Sequence, residues 1–264
     1  MKNTESRKSK LDDIYQCFVR LFNDAKSKDE FEYCCALLRI RGMEGPGWDT
    51  LQESHTLLMQ SLAFANAPID GGFQIRLLLF AYCHAVEMDF IYNMIANMIQ
   101  ISLDERYCTD WFHERFDSKN KAAIYPGQKI ERIQKWVRSP DHRQAAEVLK
   151  EMHLNDVRNA FDHSDYILSN DAFRIREGNK AKRDLIVSRS KEYKLEALIP
   201  ILELAINVAL MLIGLTIDSI RSYTENKRIP SRMLENDPFQ DMELIVEPGY
   251  GLTGFRSVIK RTIN

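Results

Sequence analysis

Cysteine is scarce in this chain and follows no pairing pattern. Five occur in 264 residues (Cys17, Cys34, Cys35, Cys83, Cys108), an odd set without C-x-x-C spacing and with two members adjacent. That argues against a disulfide framework or a common zinc site and reads as reduced thiols packed as small hydrophobes. A large charge of either sign is also missing, since the formal net charge is -2 and the pI is near 6.3. A nucleic-acid coat protein is normally strongly basic, so any contact with a polyanion is expected to be local. Residues 1–10 are polar and charged with no apolar stretch behind them, unlike a secretory leader. The most apolar run, 197–217, is interrupted by Pro200, Glu203 and Asn207. It falls short of the ~20 apolar residues of a membrane span and is expected to be a buried core or dimer helix. A cytoplasmic protein without membrane contact is the expectation. There is no Gly-rich phosphate loop, no Gly-x-Ser-x-Gly elbow and no His-Glu-x-x-His run, which removes the commonest NTPase, hydrolase and protease readings.

What the chain does have is helical periodicity. At 45% hydrophobic it can bury a sizeable core, as one large domain or one domain with appendages. Leu11, Ile14, Tyr15, Phe18, Val19 and Phe22 recur at three and four, predicting a helix of about four turns. Phe31, Cys34, Cys35 and Leu38 continue that spacing up to Gly42, and Gly45-Pro46-Gly47 breaks it. Leu51, His55, Leu58 and Leu62 predict the next helix, which Ala67-Pro68 and Gly71-Gly72 end. Residues 73–103 are hydrophobic nearly all round and predict one long central helix. Residues 104–127 read as a loop-rich insertion, after which Ile130, Ile133, Trp136 and Val137 restore helical spacing. Ser139-Pro140-Asp141 predicts a further helix start, and a single helix is expected from there through His163.

Near the end of that helix lies Arg158-Asn159-Ala160-Phe161-Asp162-His163, read as Arg-Asn-x-x-x-His. It places a guanidinium, an amide and an imidazole within about one and a half helical turns. Cutting RNA without a metal needs a base for the 2'-hydroxyl, an acid for the leaving 5'-oxygen and positive charge for the developing phosphorane. Histidine fills either proton-transfer role near neutral pH, and arginine matches phosphate with planar donors. Asn159 and His163 share a face, whereas Arg158 and His163 lie about 140° apart around an ideal helix. One copy of the helix therefore converges them poorly. The plain alternative is a surface ion pair of Arg158 with Asp162, with His163 an ordinary helix-ending residue.

Together with the flanking Asn155-Asp156-Val157 and Ser164-Asp165-Tyr166, the run resembles the signature helix of the HEPN superfamily, whose active members are largely metal-independent endoribonucleases. The resemblance is sharp over 140–225 and extends back to about 70. It implies a mainly α-helical bundle with a small β-hairpin after the motif helix, and two copies of that helix lining one cleft in a homodimer. It also implies Arg158 and His163 as the catalytic pair, with Asn159 the polar residue beside the arginine, RNA as substrate, and an antitoxin or regulatory protein as a possible further partner in a defence or stress role. A non-catalytic module that binds RNA or a nucleotide, and a purely structural helical dimerisation protein, are the alternatives.

The domain reading that follows is an N-terminal helical extension over 1–66, a helical domain over 67–225 and a tail over 226–264 with short strands at 242–246 and 251–258. Phe173 and Ile175, then Leu185 and Val187, alternate with polar residues and predict a hairpin over 172–189. Between 174 and 194 the chain has a surplus of five positive charges. Arg174, Arg176, Lys182 and Arg183 are the candidate RNA-phosphate contacts, against the simpler reading of a solvated hairpin tip. His84 and Glu87 sit one turn apart but lack the repeated Glu-x-x-His pairs of a helical di-metal site. They are expected to form a polar patch behind the Arg158 helix or a hydrogen bond in the core. No metal and no cofactor is expected. His55, His113, His142 and His153 have no partners at diagnostic spacing.

Overall fold

The computed structural model describes residues 2–39, 50–65, 67, 70–112, 124–176, 190–232, 238 and 240–258. Over these residues the protein is mainly helical, with two small antiparallel sheets, and the chain divides into two compact units, neither continuous in sequence. Gly42, the Gly45-Pro46-Gly47 break and the hairpin residues Leu185 and Val187 lie outside the described residues.

The first unit comprises residues 1–50, 89–146 and 211–264. Helix α1 (Lys2–Lys28) runs 27 residues, longer than the apolar stripe alone predicted, because its polar first turns extend a helix whose packing begins at Ile14. Asp29 then caps α2 (Glu30–Leu38), its carboxylate accepting the Glu32 N–H at 2.9 Å. Both helices pack on α5 (Asp89–Ser102), burying Phe18, Leu21, Phe22, Phe31 and Leu37. The segment after α5 is held without regular structure by Asn97. Its Oδ1 accepts the Cys108 N–H at 2.9 Å and the Trp111 indole N–H at 2.8 Å. Helix α6 (Pro126–Trp136) follows. Strands β4 (Lys227–Ser231), β5 (Gln240–Glu247) and β6 (Gly251–Ser257) form a meander over the spans where the tail pattern predicted strands, with β4 added. Phe255 closes this sheet edge-on against Phe31, ring centres 5.1 Å apart. Gly251 has φ +87, and a Cβ there would stand 2.3 Å from the Ile220 carbonyl oxygen, so the close approach requires glycine.

The second unit comprises residues 51–88 and 147–210. It holds α3 (Thr50–Ala65), α4 (Gly71–Glu87), the sheet β1 (Tyr166–Leu168), β2 (Ala172–Arg176) and β3 (Ser190–Lys194), and the start of α9 (Leu195–Arg221). Asp70 caps α4 by accepting the Phe73 N–H at 3.0 Å. The hairpin expected over 172–189 is corrected in its second arm: β2 pairs with 190–194 and not with Leu185 and Val187, and a third strand, β1, lies on its other side. Helix α9 is the one described helix long and apolar enough to cross a membrane, and 56% of its apolar stretch is buried inside the protein.

Two expected helices are each split. The predicted helix over 73–103 ends at Glu87, Met88 adopts an extended backbone (φ -66, ψ 106), and α5 starts afresh at Asp89. An acid suits a helix start, and Asp89 pairs there with Lys129 of α6. No glycine or proline marks that break, which is why periodicity ran through it. The predicted single helix over 139–163 is α7 (Pro140–Met152) and α8 (Asn155–Asp162), separated at His153-Leu154. Here the cause is a side chain from another helix. The Tyr82 hydroxyl accepts the Leu154 N–H at 2.8 Å and donates to the Leu154 carbonyl at 3.3 Å, replacing the helical ladder at that point.

Candidate functional site

Helix α8 carries the Arg-Asn-x-x-x-His run and is anchored at both ends within the second unit. At its start, Asp156 binds the Lys191 ammonium and lies 3.5 Å from the Tyr193 hydroxyl. Val157 and Ala160 form its buried stripe, facing α4 and β2. Phe161 stacks on Tyr166, ring centres 5.5 Å apart, and Tyr166 stacks on Phe173 at 4.9 Å. That aromatic column ties the helix end to the sheet. The helix closes with a Schellman arrangement. Asp165 N–H donates to the Ala160 carbonyl at 2.8 Å and Ser164 N–H to the Phe161 carbonyl at 3.1 Å, with Ser164 left-handed at φ 55. His163 is thus the terminal cap residue, and it is exposed.

Arg158 is placed quite differently. Its side chain is 12% exposed, and Nη1 pairs with Glu87 Oε1 of α4 at 2.9 Å. Nη2 reaches Asn155 Oδ1 at 3.4 Å, while Nε is buried with no hydrogen-bond partner. The i,i+4 pair with Asp162 does not form. Asp162 instead faces the Cys83 thiol, whose pKa is pushed up first by burial and then by that carboxylate. Three side chains of α4 therefore meet the motif segment: Tyr82 at Leu154, Glu87 at Arg158 and Cys83 at Asp162. Glu87 fulfils the expectation of a polar patch behind Arg158. Tyr82 and Cys83 carried no sequence signal beyond their place on an apolar helix.

Asn159 is half-buried, and among the described residues no hydrogen bond or ion pair joins Arg158 to His163. His153, given no chemistry by its spacing, borders Arg158. Burial, and then the Arg158 charge, lower its pKa below the ordinary imidazole value, and its Nδ1 is buried without a partner. His84 is lowered by burial alone, and its Nε2 is likewise unpartnered.

The cationic stretch is largely neutralised where it is described. Arg174 Nε pairs with Glu192 at 2.7 Å, and Lys194 with Asp171 at 2.9 Å and Glu192 at 3.0 Å. Arg176 ends β2 opposite Ser190, and Lys182 and Arg183 lie outside the described residues. In the first unit Ser102 Oγ and His142 Nε2 are 3.0 Å apart, but this is no nucleophile and base. His142 Nδ1 accepts the Arg138 N–H at 3.3 Å, so Nε2 holds the proton and donates it, and the serine hydroxyl donates to the Ile99 carbonyl at 2.7 Å. Among the described residues no group of three or more histidine, cysteine, aspartate and glutamate side chains is placed to hold a metal ion.

The chain matches no protein-family model, no curated protein and no solved structure.

Proposed function

We propose that the protein is a metal-independent endoribonuclease in which two copies of α8 share one cleft. The observation that carries this reading is the Arg-Asn-x-x-x-His run on a short helix with a fixed guanidinium and an exposed imidazole one turn and a half further on. In the reaction a base takes the proton of an RNA 2'-hydroxyl and the freed oxygen attacks the adjacent phosphorus. Negative charge grows on the phosphorane, and the 5'-oxygen leaves with a proton from an acid. The products are a 2',3'-cyclic phosphate and a 5'-hydroxyl. Arg158 stabilises the growing charge, His163 transfers a proton or holds the scissile phosphate, and Asn159 orients one of them. A single protomer supplies one such imidazole, so a homodimer supplies an acid and a base together. RNA, a second copy of the chain and an antitoxin-like regulator are the partners of this reading, with a defence or stress role and a cytoplasmic location.

One observation favours a second reading. Arg158 is mostly buried and ion-paired to Glu87, which suits a residue that braces α8 in a non-catalytic RNA-binding or dimerisation module. Incubation with labelled RNA in EDTA separates the two. Cleavage that His163→Ala lowers on the order of 10² to 10⁴-fold is expected for the enzyme. Retention of RNA without cleavage, or a loss below tenfold, contradicts the assignment.

A further inference from the structure

The residues of 139–163 read as one helix, yet the chain is bent out of that path at His153-Leu154, immediately before the motif. The bend is made by one atom. Tyr82 is wholly buried, and its hydroxyl bonds both the N–H and the carbonyl of Leu154. In an unbroken helix that N–H would donate to the Lys150 carbonyl; here the nearest ladder bond is His153 N–H to Lys150 O at 3.4 Å. The Leu154 carbonyl held by Tyr82 is also the one that accepts the Arg158 backbone N–H, at 3.1 Å. The tyrosine oxygen is therefore two hydrogen bonds from the backbone of the arginine and fixes where α8 begins.

Other residues of α4 grip the same short helix further along. Glu87 holds the Arg158 guanidinium, and Cys83 faces Asp162, the residue before His163. These contacts with α4, like those of Asp156 with Lys191 and of Phe161 with Tyr166, require α8 to start at one phase. If the Tyr82 oxygen is removed, the Leu154 N–H is free to rejoin the α7 ladder, as its sequence periodicity favours. Fusing the helices turns Arg158 and His163 together to a new azimuth.

We infer that Tyr82 is a positioning residue for the proposed ribonuclease site, its hydroxyl holding α8 out of register with α7 so that Arg158 and His163 present a fixed geometry to the phosphate. This rests on the ribonuclease reading for its catalytic consequence, and on hydrogen bonding alone for its structural one. Displacement of reacting groups by about 1 Å costs on the order of 10²-fold in rate, so the loss falls on the chemical step.

The test is Tyr82→Phe in the full chain, which removes one oxygen and keeps the ring in the core. Cleavage of a labelled RNA in EDTA well below the melting temperature gives kcat and KM, and amide hydrogen exchange reads Leu154 and Arg158 directly. The expected result is a fall in kcat of tenfold or more with KM within threefold, together with an altered exchange rate at the Leu154 amide. A kcat within twofold of wild type, a loss confined to KM, or an unchanged Leu154 exchange rate overturns the inference. Should wild type itself not cleave RNA, the ribonuclease reading fails, and the exchange rates of Leu154 and Arg158 alone decide whether Tyr82 sets the helix.

Discussion

Glu32 and Arg158 are both charged side chains drawn largely out of water, one in each unit, and they are treated in opposite ways. The Glu32 carboxylate is buried to 3% exposure, and each oxygen has a partner: Arg106 Nε at 3.3 Å and the Tyr107 N–H at 2.9 Å. Arg158 meets a half-exposed Glu87 on one side and a weak amide contact on another, keeps Nε unpartnered and has the unpartnered Nδ1 of His153 nearby. The surfaces differ in the same sense. Among the described residues, the large apolar side chains left exposed are Met59, Phe64, Phe73, Phe80 and Ile167 in the second unit and Tyr125 and Tyr250 in the first. A satisfied buried charge fixes a loop, whereas the Arg158 guanidinium keeps a donor idle inside the fold.

The contrast is sharpest under mutation. Glu32→Ala should destabilise by about 3–5 kcal/mol in urea or thermal unfolding, because it strands a partly buried guanidinium and a buried N–H. Arg158→Ala should cost only about 1 kcal/mol, since Glu87 rehydrates once released, yet remove most RNA cleavage. Equal losses of stability at the two sites would dissolve the distinction. Within the first unit, Gly251→Ala tests whether packing there is as tight as its polar network. The left-handed backbone and the 2.3 Å approach to Ile220 predict a loss of at least about 2 kcal/mol, read as a lowered denaturant midpoint.

A smaller effect is one of pH, and it has the same sign in both units. His84 and His153 have folded-state pKa values below the ordinary 6.5, so near and below that pH the unfolded chain takes up protons that the folded chain refuses. Their effect on stability is absent well above pH 6.5 and becomes a loss as the pH falls through it, levelling off below the folded values. His142 adds the same sign from the first unit. Replacing His153 by Gln should flatten part of that acid-side slope in unfolding measured from pH 8 to 5. An unchanged slope means that His153 titrates normally. The smallest expected change is at Ser164. Its left-handed backbone costs about 1 kcal/mol in an L-residue, so Ser164→Gly should raise stability by roughly that amount without altering the exposure of His163.

How much of this was legible in the sequence follows the same division. Local rules worked where a helix or strand was decided by its own residues: the α1 stripe, the α9 apolar run, the tail strands and the end of the motif helix by His163 all appear. They failed where a distant side chain intervenes. Nothing near Leu154 announces a break, because the bond that makes it comes from Tyr82, 72 residues earlier. Met88 is similar, its break followed by an aspartate that finds Lys129. For the site, the spacing of Arg158, Asn159 and His163 was readable, and so was Glu87 as a possible support. The inward direction of Arg158 was not, since a helical wheel gives angles and not partners.

The most direct test of the central claim is the chemistry of cut ends. Wild-type protein in EDTA should convert an RNA oligonucleotide to fragments ending in 2',3'-cyclic phosphate and beginning with 5'-hydroxyl, and should leave intact the same oligonucleotide with 2'-deoxy sugars throughout. Cleavage of the deoxy substrate, ends of any other kind, or activity undiminished in His163→Ala would contradict it.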